Sequence, residues 1–197
     1  MKKMRDFTHG ELDWRPWLAP LDLNAATEAQ LIALKVTPSN RAVGAYSLVL
    51  AHDTEALIER SPLYNGIMFG AKGLPRAERE LGAVVASRIN GCAYCAAVHA
   101  LRFIQLTKEP EVMARIQRDG AEAALDPRLK AILDYAAKLT RDSAGITPAD
   151  AAPLRAQGLT DLDILDLSHA VAMFAWANRL MQTLGEAADP AAPGDPL

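Results

Sequence analysis

The sequence has few aromatic residues and lacks several common patterns. Each absence excludes a class of protein. Aromatic residues make up 6% of the 197 residues, and no apolar run reaches the roughly 18 residues of a membrane-spanning helix. The positively charged N-terminus lacks the apolar run of a secretory signal. The formal net charge is -3 and no basic stripe stands out, which argues against nucleic acid as a partner. We therefore expect a cytoplasmic protein that binds neither nucleic acid nor membranes.

Motifs that bind nucleotides or phosphate groups are missing too. The sequence contains no Gly-x-Gly-x-x-Gly. The segment Gly70-Ala-Lys-Gly73 is too short for a phosphate-binding loop and lacks the required spacing. We therefore expect no flavin, nucleotide or other cofactor.

Helix-forming residues dominate the composition. Hydrophobic residues make up 50% of the chain, Ala and Leu are abundant, and β-branched residues are sparse. This composition predicts an all-α protein. We divide the chain into an N-terminal arm at 1–24, a helical domain at 25–186 and a disordered tail at 187–197. Trp14 and Trp17 predict that the arm packs onto the domain or a neighbouring subunit.

Apolar periodicity and capping residues predict the helices of the domain. The predicted helices are 25–36, 39–51, 53–69, 75–89, a cysteine-containing helix from 90, 111–118, a helix from 127, 147–157 and 160–184. We expect an interruption or bend near Pro62, because proline removes a backbone hydrogen bond. Asp126 and Thr147 are the expected N-caps of the helices that follow them, and Gly185 is expected to end the longest helix.

Both cysteines of the chain lie in the stretch Asn90–His99. The Asn-Gly pair is typical of a helix start, so we expect the Asn90 side chain to cap a helix that contains the cysteines. At helical spacing, one face of this helix carries Cys92, Cys95, His99, Phe103 and Leu106. Two thiols and an imidazole are therefore predicted to share one stripe, with the thiols in the first turn.

The predicted position of the thiols suggests redox chemistry. Backbone N–H groups and the positive end of the helix dipole favour a thiolate at a helix N-terminus. The spacing of Cys92 and Cys95 allows their side chains to meet, so a disulfide can form without unfolding of the helix. His99 can accept or relay a proton near neutral pH. An activated thiol, a second thiol and a proton carrier are the parts of a dithiol redox catalyst.

Other interpretations of the cysteine pair were weighed against this one. A structural zinc site needs four ligands, but beyond His99 the sequence offers only scattered single histidines, His9, His52 and His169. Attachment of a c-type haem needs a histidine directly after the second cysteine, where Ala96 stands. Two buried cysteines that pack as small apolar groups remain an open alternative.

Two acidic residues border the apolar face of the helix before the cysteines. Periodicity places Glu78 inside the apolar arc and Glu80 just off its edge, so geometry alone does not select Glu80. Either carboxylate is ordinarily solvated or ion-paired. The short connection at Asn90-Gly91 makes the two helices neighbours, so a carboxylate of the first can face the thiols of the second.

The spacing of four residues resembles that of a known family. Glu80, Cys92, Cys95 and His99 form the pattern Glu-x11-Cys-x2-Cys-x3-His, which is similar to AhpD-like alkylhydroperoxidases of the carboxymuconolactone decarboxylase superfamily, in the peroxidase-related branch. The resemblance covers roughly residues 25–186. Further similar segments are Leu74–Glu80, Ser87–Cys92, Asp126–Lys130, Thr147–Asp150 and Asn178-Arg179 before Leu184-Gly185.

The resemblance implies a fold, an assembly and a role for each residue. It implies an all-α fold with a pseudo-repeat of helical hairpins and a homo-oligomer, usually a trimer or hexamer. It implies that Cys95 is the peroxidatic thiol, that Cys92 closes the disulfide and that Glu80 and His99 relay protons. The implied substrates are organic hydroperoxides or hydrogen peroxide, and the implied reductant is a lipoyl-type or thioredoxin-type thiol.

One residue departs from the pattern of the relatives. Some peroxidatic relatives have His just before the second cysteine, where this chain has Tyr94, and a phenol is a poorer proton carrier near neutral pH.

Two alternatives to a thiol peroxidase remain open. One is a carboxymuconolactone decarboxylase-like enzyme, although such decarboxylases typically lack the cysteine pair. The other is a non-catalytic redox sensor or structural oligomer.

Overall fold

The computed structural model describes residues 7–35 and 43–190 and shows an all-α architecture, as predicted. The helices within these ranges are α1 (Glu28–Leu34), α2 (Ala45–Leu50), α3 (Thr54–Phe69), α4 (Arg76–Ile89), α5 (Ala93–Thr107), α6 (Pro110–Asp119), α7 (Pro127–Arg141), α8 (Pro148–Ala156) and α9 (Asp161–Leu184). Two short strands, β1 (Asp13–Pro16) and β2 (Gly185–Ala188), complete the described part. None of its helices is both long enough and apolar enough to cross a bilayer.

Helix α4 lies at the centre of the domain. It packs most extensively against α5, α9 and α7, and every residue from 79 to 87 is buried. Gly82 allows a close approach to α9, because a Cβ at this position would come within 2.9 Å of a methyl carbon of Leu167. Side chains of the outer helices that point toward α4 are therefore shielded from solvent. The same burial applies to Glu80, an acidic residue in the buried part of α4.

Several helix boundaries confirm the capping predictions. The Asp126 side chain accepts hydrogen bonds from the first turn of α7, and Thr147 forms a capping box at the start of α8, as predicted. Thr160, which was not predicted as a cap, forms a further capping box at the start of α9. Such caps satisfy backbone N–H groups that have no partner within the helix. Residues 36–42 lie outside the described residues, and they include the start of the predicted helix 39–51.

Helix α3 differs from the sequence-based prediction. It runs without interruption from Thr54 to Phe69 and contains Pro62, whose ring is exposed. The predicted interruption is wrong because one lost backbone hydrogen bond at a solvent-facing position does not outweigh the packing of the helix.

The two ends of the described chain meet in a small antiparallel sheet. Trp14 of β1 lies opposite Ala187 of β2, and the Trp17 N–H donates to the Leu184 carbonyl at 2.8 Å. The predicted N-terminal arm therefore contains a strand, and residues 187 and 188 of the predicted tail belong to β2. A strand this short carries little local signal, because pairing with a distant segment determines it. Residues 191–197 of the tail and the first six residues of the chain lie outside the described residues.

Gly185 is required by the close approach of β1 to β2. A Cβ added there would lie 2.4 Å from a ring carbon of Trp14 and 2.5 Å from the Arg15 carbonyl oxygen. Both neighbours belong to the strand pair, so neither can move without disturbing the sheet.

We predict opposite stability effects for two glycine-to-alanine substitutions. Gly185→Ala should lower the free energy of unfolding by about 1–3 kcal/mol through overpacking. Gly66→Ala, inside α3 with open space around its added methyl group, should raise it by roughly 1 kcal/mol through helix propensity. Urea unfolding of both variants measures these changes. Equal effects would contradict the described packing of β1 on β2.

Candidate active site

The turn between α4 and α5 positions the two thiols. Helix α4 ends at Asn90, Gly91 has a φ of 78° that favours glycine, and Cys92 occupies the N-cap position of α5. The Cys92 N–H donates to the Ser87 carbonyl at 2.8 Å, which holds the turn closed. The prediction that Asn90 caps α5 is wrong, because its side chain instead donates to Asn178 of α9 at 3.1 Å.

The structure brings the two cysteines together as predicted from their spacing. Both are buried, and their Sγ atoms lie 2.7 Å apart. His99 and Phe103 continue the same buried face of α5, whereas Leu106 at its end is 48% exposed. The thiols can therefore exchange a proton or form a disulfide with little movement of the backbone.

The pKa of Cys95 lies well above its ordinary value, which is opposite to the direction predicted from the helix N-terminus. The hydrogen bond to Cys92 is the main cause, followed by burial and by repulsion from a second ionised sulfur. These three effects outweigh the two hydrogen bonds that lower the pKa, one from the Asn178 side chain and one from the backbone N–H of Cys95. Cys95 therefore needs a base to become a thiolate near neutral pH.

A buried carboxylate of α4 and an imidazole of α5 form a hydrogen bond. His99 Nδ1 hydrogen-bonds one oxygen of Glu80, and Arg76 Nε donates to the other oxygen at 2.6 Å. Glu80 has no exposed surface. Burial alone raises the pKa of Glu80, but the charges and hydrogen bonds of His99 and Arg76 outweigh burial, and the pKa is lowered overall. Glu80 is therefore an ionised acceptor that orients the His99 ring.

The structure separates the two candidate acids clearly. Glu78, which periodicity placed inside the apolar arc, pairs with Arg128 of α7 through both of its oxygens at 2.7 and 2.9 Å. Glu80 instead faces α5. Helical periodicity could not assign these positions because α4 is surrounded by other helices and has no single solvent-facing side.

The two cysteines and His99 lie on one face of α5. His99 follows Cys95 by four residues, which places the imidazole one turn from the sulfur. Phe174 of α9 packs edge-on against the His99 ring, with 4.0 Å between the ring centroids. Phe174 therefore forms an apolar wall against the imidazole that Glu80 binds.

Asn178 of α9 is a further residue of this site. The sequence indicated it only within the segment Asn178-Arg179 of the family resemblance, with no role. It is fully buried, and its amide donates to Ser87 Oγ at 3.0 Å. A hydrogen bond from the same side chain to the Cys95 sulfur lowers the pKa of that thiol, in opposition to the stronger effects of Cys92 and burial. A signal did exist in the sequence: Asn178 is a polar residue on the apolar stripe that carries Phe174 and Met181.

Aromatic residues from the N-terminal part of the chain cover the thiols. Trp14 of β1 and Tyr46 of α2 join a buried cluster with Cys92 and Cys95. The Trp14 indole N–H donates to the Met181 carbonyl at 2.9 Å, and its ring contacts the Tyr46 ring edge-on. The arm thus packs onto the domain over the reactive groups.

The remaining histidines lie elsewhere. His9 contacts Gln117, His52 bonds the Ala19 carbonyl, and His169 lines a groove between α3 and α9. Across residues 7–35 and 43–190, no group of three or more His, Cys, Asp or Glu side chains is arranged to hold a metal ion.

We predict that Asn178→Ala raises the pKa of Cys95 further, because the variant loses a donor to the thiolate. The pH dependence of iodoacetamide alkylation measures this shift. The variant should also lose about 1–3 kcal/mol of stability, since the Asn90 amide is left without its acceptor. Thr183→Ala, on the exposed side of the same helix, is the matched control and should leave the alkylation profile unchanged. An unshifted profile in Asn178→Ala would contradict the described contact.

Comparison with known proteins places the chain in a family. The profile of the Carboxymuconolactone decarboxylase family matches residues 60–138. No curated protein matches the sequence. The crystal structure of an alkylhydroperoxidase AhpD core, an uncharacterized peroxidase-related protein from Ralstonia eutropha JMP134, is similar at 28% identity and a TM-score of 0.76, and the match covers 89% of this chain and 92% of that one.

Two further structures complete the comparison. An uncharacterized peroxidase-related protein from Silicibacter sp. TM1040 shares 30% identity at a TM-score of 0.66, and the match covers 83% of this chain and 93% of that one. The debrominase Bmp8 shares the fold at 14% identity and a TM-score of 0.69, over 85% of this chain and 89% of its own. This chain therefore belongs to the peroxidase-related branch of the AhpD-like, carboxymuconolactone decarboxylase superfamily.

Proposed function

We propose that the protein is a thiol-dependent peroxidase that reduces organic hydroperoxides or hydrogen peroxide. The observation that carries this proposal is the buried Glu80–His99 hydrogen bond on the face of α5 that also carries the contacting thiols of Cys92 and Cys95. A base oriented by a carboxylate, next to a thiol whose pKa is raised, is the arrangement that nucleophilic catalysis by such a thiol needs.

The first step oxidises Cys95. His99, oriented by Glu80, accepts the Cys95 proton, directly or through a water molecule. The thiolate sulfur attacks the OH oxygen of the hydroperoxide, so an S–O bond forms and the O–O bond breaks. The alkoxide leaves with the electron pair and takes up the proton held by His99. The products are a sulfenic acid on Cys95 and an alcohol.

The second step forms the disulfide. The Cys92 sulfur attacks the Cys95 sulfur, hydroxide leaves, and it combines with the Cys92 proton to give water. The contact between the two sulfurs supports this step, because the attacking atom needs to move little. An external dithiol of lipoyl or thioredoxin type would then reduce the disulfide.

We also propose that the protein acts in the cytoplasm as a homo-oligomer, a trimer or hexamer. Large apolar side chains exposed on α3 and α9, among them Leu63, Leu165 and Trp176, support association of copies. The reductant and the number of subunits rest on family resemblance alone.

A count of thiols after addition of peroxide tests the proposal. One equivalent of cumene hydroperoxide should consume both thiols of the wild type rapidly, and Cys95→Ser should abolish this rapid phase. Peroxide consumption by Cys95→Ser at the wild-type rate would contradict the assignment of Cys95. Loss of thiols in the wild type no faster than in a small free thiol would contradict peroxidase function itself.

Two acidic residues of α4 provide a matched pair for testing the relay. Glu80→Gln keeps the size of the side chain but loses the charge that orients His99, so the rate of Cys95 oxidation should fall by about 100-fold or more. Glu78→Gln loses a carboxylate that binds Arg128 away from the thiols and should keep the rate within about threefold, whatever its effect on stability. Stopped-flow measurement of thiol loss compares them, and equal rates would exclude the relay.

A further inference from the structure

We propose that the Tyr46 hydroxyl binds the leaving oxygen of the hydroperoxide and stabilises its negative charge as the O–O bond breaks. This inference rests on the proposed peroxidase function and deepens it by assigning a donor to the substrate. Neither the sequence pattern nor the family relationship identified Tyr46.

The position of Tyr46 beside the thiols is the first observation. Its ring packs against the cluster that contains Cys92 and Cys95. The edge-on contact with Trp14, at 5.4 Å between ring centroids, limits the freedom of the ring, and Trp14 is itself held by its hydrogen bond to Met181. The hydroxyl is therefore presented on a ring that is fixed before any substrate arrives.

The second observation is the unsatisfied hydrogen-bonding capacity of the Tyr46 hydroxyl within the described part of the chain. Among the described residues, Tyr46 Oη is buried and lacks a hydrogen-bond partner. Leaving a buried polar group unsatisfied costs roughly 1–3 kcal/mol, so such groups in native proteins need an explanation. A substrate oxygen that arrives next to the Cys95 sulfur would supply the missing partner.

Arg60 is a second hydrogen-bond donor near the Tyr46 hydroxyl, and it supports a binding site for negative charge there. Arg60 Nε is also buried without a hydrogen-bond partner in the described part of the chain, and its charge acts on Tyr46. The Arg60 guanidinium lies 4.4 Å from the centroid of the Tyr64 ring. A developing alkoxide would thus meet a hydroxyl donor and a nearby cation.

The ionisation of Tyr46 suits a hydrogen-bond donor. Burial raises the pKa of the phenol well above its usual value, Arg60 opposes this increase, and ionisation of Cys95 or Cys92 adds to it. Tyr46 therefore keeps its proton at any pH at which the enzyme works. In the balanced step given above, it donates a hydrogen bond to the alkoxide, and the proton that completes the alcohol still comes from His99.

This assignment also accounts for the residue that departs from the family pattern. Tyr94 stands where some relatives carry a histidine before the second cysteine, and it packs against the same cluster. With Tyr46 as donor, the leaving oxygen is stabilised without a histidine at that position. The two tyrosines can be separated by experiment.

Single phenol-to-phenyl substitutions and two oxidants test the inference. Tyr46→Phe keeps the ring contact with Trp14 and removes only the hydroxyl. We expect it to slow oxidation of Cys95 by tert-butyl hydroperoxide about 10-fold to 100-fold, because a preorganised donor to a developing anion is lost. The loss should be several-fold smaller with peracetic acid, whose leaving group is a stable carboxylate. Tyr135→Phe, which loses a hydroxyl bonded to Ser168, is the control for removal of a phenol outside the site.

The outcomes separate this inference from the function on which it rests. A wild type that reacts no faster than a free thiol overturns both. A fast wild type with an equally fast Tyr46→Phe overturns the role of Tyr46 and leaves the peroxidase function standing. Equal slowing with both oxidants, or slowing by Tyr94→Phe alone, also overturns it. Thermal melting of each variant establishes that the fold is retained.

Discussion

The constraint on which the site depends is the buried negative charge of Glu80. Helices α4 and α5 supply the hydrogen-bond donors that stabilise this charge. His99 of α5 binds one carboxylate oxygen and Arg76 of α4 binds the other. A buried carboxylate without such partners would be strongly destabilising. Because α4 is covered by α5, α7 and α9, the pair is held in a region of low dielectric, where a hydrogen bond orients an imidazole effectively.

The chemistry of the thiols depends on that arrangement. The thiol of Cys95 is buried against Cys92, so its proton is held more tightly than in water. Hydrogen bonds from Asn178 and from the Cys95 backbone lower the pKa, but the hydrogen bond to Cys92 and burial outweigh them. In the proposed function, activation comes from His99, oriented by Glu80, together with donors such as Asn178. Related folds host other reactions, as the debrominase Bmp8 illustrates, so the function follows from these side chains and not from the fold.

Much of the fold could be predicted from local signals. Caps such as Asp126 and the apolar periodicity of the long helices depend on residues close in sequence. The strands β1 and β2 could not be predicted, because they are stabilised by pairing between the two ends of the chain. In the site, spacing and resemblance identified Glu80, whereas periodicity did not. Tyr46 reaches the thiols only through tertiary packing, so no spacing rule indicated it, whereas Asn178 left a signal as a polar residue on the apolar stripe of α9.

The central claim is that the Glu80–His99 pair activates Cys95 toward peroxides. The most direct test uses Cys92→Ser, in which a sulfenic acid on Cys95 cannot resolve to a disulfide and can be trapped with dimedone. After one equivalent of cumene hydroperoxide, peptide mass spectrometry should find the adduct on Cys95 at high yield, and adding Glu80→Gln should reduce it strongly. A dimedone adduct that forms equally well without Glu80, or no adduct on Cys95 at all, would contradict the account.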